Sequence, residues 1–76
     1  MPAGADRIQE KLGRTIRKLR EEASLSQATL AEKAGLQPNY VGEVERGEKL
    51  ASIETVVRIA QGLGITGERL LAHAKL

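Results

Sequence analysis

Asn39, Glu43 and Arg46 stand four and three residues apart in the run Pro38-Asn39-Tyr40-Val41-Gly42-Glu43-Val44-Glu45-Arg46. On a helix this spacing puts an amide, a carboxylate and a guanidinium on one face, with Gly42 among them. Val41 and Val44 then turn to the opposite side, toward a core. The outward groups suit nucleic-acid edges: Asn pairs with adenine, Arg with guanine or phosphate, and Glu accepts from cytosine. An ordinary solvated helix face has the same composition, so the pattern alone leaves both readings open.

Few other residues offer chemistry. His73 is the single histidine, there is no cysteine, and the eight glycines are scattered. No nucleophile–base arrangement, metal-ligand spacing or phosphate-binding glycine loop is visible. These features argue against an enzyme, a cofactor and a metal site.

The element that must present the polar face is short. Ser26 to Gly47 reads as two helices joined by a tight turn. The first runs from Gln27 to Ala34, with Ser26 as N-cap and Gly35 as C′ residue. The second runs from Pro38 to Arg46, with proline in the first turn. Helices of this length are marginal alone, so tertiary packing or a ligand must justify them. A helix-turn-helix that offers its second helix to DNA would do so.

Around this pair the sequence predicts three more helices. The first spans Asp6 to Glu22, its apolar residues Ile8, Leu12, Ile16, Leu19 and Ala23 recurring every three or four positions. The fourth follows Ser52 and ends near Gly62. The fifth follows Thr66 and carries Leu70, Leu71 and Ala74. Residues 1–5 are expected to form a flexible tail, and 6–76 one all-α domain with a C-terminal dimerisation helix. The sole aromatic residue, Tyr40, agrees with a helical rather than a sheet core. A chain of 76 residues buries only about 60% of its unfolded surface, enough to fold alone with little margin. No apolar run approaches the ~20 residues of a membrane span, and the N-terminus lacks the apolar stretch of a signal peptide. The expectation is a cytoplasmic protein with no membrane partner.

The net charge is only +2, so position matters more than total. Arg14, Arg17, Lys18 and Arg20 cluster in the first helix, and Arg46 and Lys49 flank the end of the third. Arg17, Arg46 and Lys49 are candidates for phosphate contact; a solvated face of mixed charge is the alternative. Arg20 and Glu45 each lie at the edge of an apolar stripe, and are expected to pair half-buried and tie helix 1 to helix 3.

Leu25-Ser26-Gln27-Ala28-Thr29-Leu30-Ala31-Glu32-Lys33-Ala34-Gly35-Leu36 resembles the signature of phage-repressor-like (XRE-type) helix-turn-helix regulators. Tyr40-Val41-Gly42 with Val44-Glu45-Arg46-Gly47, and Ser52-Ile53-Glu54-Thr55 with Ile59, Ala60 and Leu63, continue the resemblance over residues 8 to 71. Within that family, the run from Asn39 to Gly47 looks most like the controller proteins of restriction–modification systems. The resemblance implies a compact five-helix, lambda-repressor-like domain with helix 3 in the major groove. It implies phosphate contacts from Gln27 and Tyr40, base-facing positions at Asn39, Gly42 and Glu43, a phosphate or base contact from Arg46, and an Arg20–Glu45 ion pair. There are departures. Pro38 stands where relatives carry a polar residue, Gln37 is a weak cap, and Lys49-Leu50-Ala51 replaces a more polar turn. With so few readers, DNA shape is expected to carry part of the specificity.

The last two helices hold more apolar residues than one face each requires. Ile59, Leu63, Ile65 and Leu70 or Leu71 are candidates for a homodimer interface, unless a small core absorbs them. A dimer would set two recognition helices about 34 Å apart on a near-palindrome. The implied function is transcription regulation at a double-stranded DNA operator, as repressor or as activator touching RNA polymerase. An antitoxin that neutralises a partner protein is the alternative, although it usually needs a further wrapping segment.

Overall fold

Hydroxyl caps decide where three of the helices begin. Ser26, Ser52 and Thr66 each accept a hydrogen bond from the backbone N–H three residues on, at 3.0 Å for Thr29, 3.1 Å for Thr55 and 3.1 Å for Arg69. Each satisfies a donor that the first turn leaves without a partner. The computed structural model describes residues 3–76, with side chains from residue 8 onward. The helices are α1 (Ala3–Glu22), α2 (Gln27–Ala34), α3 (Pro38–Glu45), α4 (Ile53–Gly62) and α5 (Gly67–His73). All five expected helices are present, and the fold is all-α. Helix α1 starts three residues before the predicted Asp6, so the expected tail is helical backbone over 3–5. Residues 1 and 2 lie outside the described residues.

Gly35 closes α2 with φ +70°, and the Leu36 N–H returns to the Ala31 carbonyl at 2.8 Å. A side chain at this φ would be strained, so glycine is what lets α2 stop and α3 begin three residues later. Gln37 makes no side-chain cap bond; the start of α3 rests on Pro38 instead.

The core takes Leu12 and Ile16 from α1, Leu30 and Ala31 from α2, Val41 and Val44 from α3, Val56, Ile59 and Ala60 from α4, and Leu70 and Ala74 at α5. Several apolar residues of the helices and their ends stay outside. Ile8, Ala23 and Ala28 are exposed, and Ile53 is 86% exposed. Ile8, five residues into α1, and Ala23, one residue past its end, are left uncovered by the packing. Ile53 opens α4 at a point where no other helix reaches.

Gly13 governs how α1 meets α3. A Cβ there would collide with the backbone carbonyls of Val44 and Glu45. Glycine in mid-helix costs about 1 kcal/mol of propensity, and here it lets the end of α3 lie directly on α1.

Candidate nucleic-acid interface

Val41 and Val44 are almost completely buried, which fixes the rotation of α3. Asn39 and Arg46 are consequently exposed and Glu43 is half-buried. Gly42 is not on the open face. It is buried, with the Gln27 amide and the Arg46 guanidinium where its side chain would stand: an added Cβ would lie 3.0 Å from Arg46 Nη1 and 3.3 Å from Gln27 Oε1. The position at Gly42, expected to face a base, is therefore covered from within the protein. The open row is Asn39, Glu43 and Arg46.

Behind this row lies a polar network. Arg20 Nε donates to Glu45 Oε2 at 2.6 Å and Arg20 Nη2 donates to Glu45 Oε1 at 3.1 Å. Arg20 Nη1 also donates to the Leu25 carbonyl at 2.9 Å, at the entry to α2. Gln27 Nε2 adds a bond to Glu45 Oε1 at 2.9 Å. The Glu45 side chain is only 2% exposed and that of Arg20 11%. The bond from Glu45 holds the guanidinium more firmly protonated than usual, against the opposing effect of burial. One buried carboxylate thus joins α1, α2 and α3. Gln27, read from the sequence as a phosphate contact, has its amide N–H turned inward to this network.

Tyr40 is half-buried against the core, and its hydroxyl lies 3.2 Å from Thr55 Oγ1. The Ser52 hydroxyl donates to the same Thr55 oxygen at 3.1 Å. The ring end of α3 is thereby tied to the start of α4, and the tyrosine hydroxyl sits in a chain of hydroxyls.

Arg46 leaves α3 as its C-cap residue and pairs with Glu48. Nε donates to Oε2 at 2.8 Å and Nη2 to Oε1 at 3.2 Å. Both side chains are more than half exposed. The bond depresses the Glu48 carboxyl below its ordinary range and raises the Arg46 guanidinium. Lys49 follows, exposed, beside the exposed Leu50.

The basic cluster read in α1 does not form one surface. Arg20 is enclosed with Glu45, and Arg17 is exposed and paired with Glu21 at 3.2 Å. Arg14 and Lys18 line a groove shared with the end of α5. The expected dimer residues also divide. Ile59 and Leu70 are fully buried in this chain's own core, and so cannot face a second copy. Leu63 and Ile65 are half-buried against that core, and Leu71 is 37% exposed. With a core this small, the inner faces of α4 and α5 are consumed within the protomer.

Three features escaped the sequence reading. Glu48 had a usable signal, a carboxylate two residues beyond Arg46 across a glycine turn. Gly13 had one too, since a glycine in mid-helix calls for a packing reason. The outward turn of Ile53 and Val57 had none, because on a helix both fall on the same side as the apolar Val56 and Ala60. Among the described residues no cluster of His, Cys, Asp or Glu could hold a metal ion, and no buried side-chain polar atom lacks a hydrogen-bond partner.

Comparisons with known proteins show the family and the fold. The chain is 36% identical over 69 residues to control protein C.SmaI of Serratia marcescens, covering 91% of this chain and 82% of that protein. It is 39% identical over 65 residues to the immunity repressor protein of Bacillus phage phi105, covering 86% of this chain but 45% of the repressor. Its fold matches the crystal structure of the restriction-modification controller protein C.AhdI from Aeromonas hydrophila, with TM-score 0.79, 40% identity, and 82% and 94% of the two chains covered. The helix-turn-helix family model HTH_3 matches residues 16–70, the span that contains α2, the turn and α3, and on that match the chain belongs to the HTH_3 helix-turn-helix family of DNA-binding transcription regulators.

Proposed function

We propose that this chain occupies a near-palindromic operator as a homodimer and regulates restriction–modification genes. The observation that carries the reading is the outward row of exposed Asn39, half-buried Glu43 and exposed Arg46 on a helix locked from behind by Arg20, Gln27 and Glu45. In this reading Asn39 and Glu43 address base edges in the major groove. Arg46 turns from Glu48 to a phosphate or base. Lys49, at the following turn, contacts the backbone, and so does Arg17 on releasing Glu21. The amides at the N-terminus of α2, beside Gln27, face a phosphate. Tyr40 reaches a second phosphate by giving up Thr55.

One eight-residue helix offers few contacts, so two copies on two half-sites supply the affinity. The second copy covers the outer faces of α4 and α5. There Val57 abuts Gly67, with Ile53 and Leu71 one turn away on their helices, and all three side chains are exposed. In this reading the parts of Leu63 and Ile65 left open by the core also meet the second copy. Regulation of restriction–modification genes is supported by the likeness to the restriction-modification controller protein C.AhdI, beside that to control protein C.SmaI. RNA polymerase is the further partner if the bound dimer activates, and the working compartment is then the cytoplasm.

Selection of random and genomic DNA fragments on the purified protein, at about 150 mM salt, tests this. The expected result is an enriched two-fold symmetric motif. Weak, salt-sensitive binding with no enriched motif overturns it and favours a protein partner, as in an antitoxin.

A further inference from the structure

The C-terminal end of α5 lies along α1 and encloses an open groove of about 700 Å³. Lys11, Arg14 and Lys18 line one wall and Lys75 the other, with Glu22 the only carboxylate in the lining. Four cations against one acid is a local excess, in a chain whose formal net charge is +2. Elsewhere Arg17, Arg20, Arg46 and Arg58 each pair with a glutamate. Among the described residues, none of the four groove cations has such a partner. Leu19, half-buried, and Ala74, buried, add an apolar patch to the lining. Lys75 takes φ +60°, and the Leu76 N–H returns to the Leu71 carbonyl at 2.9 Å, so the chain turns sharply where it closes the groove.

The groove faces away from the α3 surface. Lys11, Arg14, Lys18 and Glu22 recur every three or four residues and so share one face of α1. Gly13 and Arg20, which meet α3, lie on the opposite face. A rigid duplex seated on α3 leaves this groove open to solution.

We propose that the α1–α5 groove is a docking site for an acidic, amphipathic segment of a second protein. Its carboxylates meet Lys11, Arg14, Lys18 and Lys75, and an apolar side chain rests on Leu19 and Ala74. Charge complementarity selects an anion, and the apolar lining selects a peptide over a bare phosphate. A pocket of this volume accepts a few side chains.

The test uses the intact 15N-labelled chain and a helical peptide of about twelve residues, glutamates on one face and leucines on the other. Inorganic phosphate, the same peptide with glutamines for leucines, and a short duplex DNA serve as comparison probes. The expected result is amide shifts confined to residues 11–22 and 73–76. The double variant Lys11→Glu, Lys18→Glu should weaken peptide binding at least about tenfold and leave the melting temperature unchanged; Lys18→Gln should weaken it less. Equal shifts from phosphate or from the leucine-free peptide overturn the proposal in favour of a simple anion site. Larger shifts in the groove from duplex DNA overturn it in favour of a nucleic-acid face. No shift with the peptide overturns it outright.

Discussion

Two arginine–glutamate pairs of nearly the same bonding geometry sit at the end of α3, and they do opposite work. Arg20–Glu45 is enclosed, bidentate and shared with Gln27. Arg46–Glu48 is also bidentate but stands in solvent, more than half exposed. A buried pair is costly to break because the charge left behind has neither water nor partner. An exposed pair loses little when it opens, because water replaces the partner. The first pair therefore holds α3 to α1 and α2. The second holds Arg46 in place only until a stronger anion arrives. What distinguishes a structural from an exchangeable ion pair here is burial and additional hydrogen bonds, not distance.

The largest expected effect falls on the enclosed pair. Glu45→Ala strands Arg20 and removes the acceptor of Gln27, and should cost about 3–5 kcal/mol. A domain of this size loses about 4–8 °C of melting temperature per kcal/mol, so calorimetry should record a fall of more than about ten degrees. A fall of under about two degrees would mean that the pair is not structural. Gly13→Ala comes next. The added methyl meets backbone carbonyls that no rotamer change can move away, and overpacking of this kind costs about 1–3 kcal/mol. A chemical denaturation midpoint unchanged by Gly13→Ala would show that α1 and α3 can separate freely.

The exposed pair should leave stability alone and change binding. Arg46→Ala should keep the melting temperature within about two degrees, while the salt slope of DNA affinity falls by about one. An unaltered slope would remove Arg46 from the phosphate contacts. The smallest effect belongs to Glu48→Gln. It frees Arg46 from its intramolecular partner and should raise DNA affinity about two- to fivefold. Combined with Arg46→Ala that gain should vanish; if it persists, Glu48 acts by general repulsion instead. The pH dependence has a definite sign. Arg46 depresses the Glu48 carboxyl in the folded state, so the contribution of the pair is present above the ordinary carboxylate range. It is lost as pH falls through the depressed value. At neutral pH the pair is intact, and DNA must displace it.

The residues show where local signals end. Ser26, Ser52, Thr66 and Gly35 placed four helix boundaries correctly, because a cap is a contact within three or four positions of the chain. The Arg20–Glu45 contact was also legible, since two helices with known core faces leave few places for two edge charges to meet. Gly42 was misread because its neighbour in space is Gln27, on another helix. The Ile59 and Leu70 side chains were assigned to a dimer surface but are spent in the core. Periodicity reports which face of a helix is apolar, not how much of that face one protomer can cover.

By itself the chain determined an all-α domain of five helices, three of them started by hydroxyl caps, and with them the helix-turn-helix, because caps, glycine stops and apolar spacing act over short distances. Tertiary structure alone decided that Gln27 overlies Gly42, that Ile53 and Val57 stay exposed, and that Arg14 and Lys18 face the end of α5 rather than α3. Each of these depends on residues distant in sequence competing for the same volume or the same charge, and that competition is settled only when the helices pack.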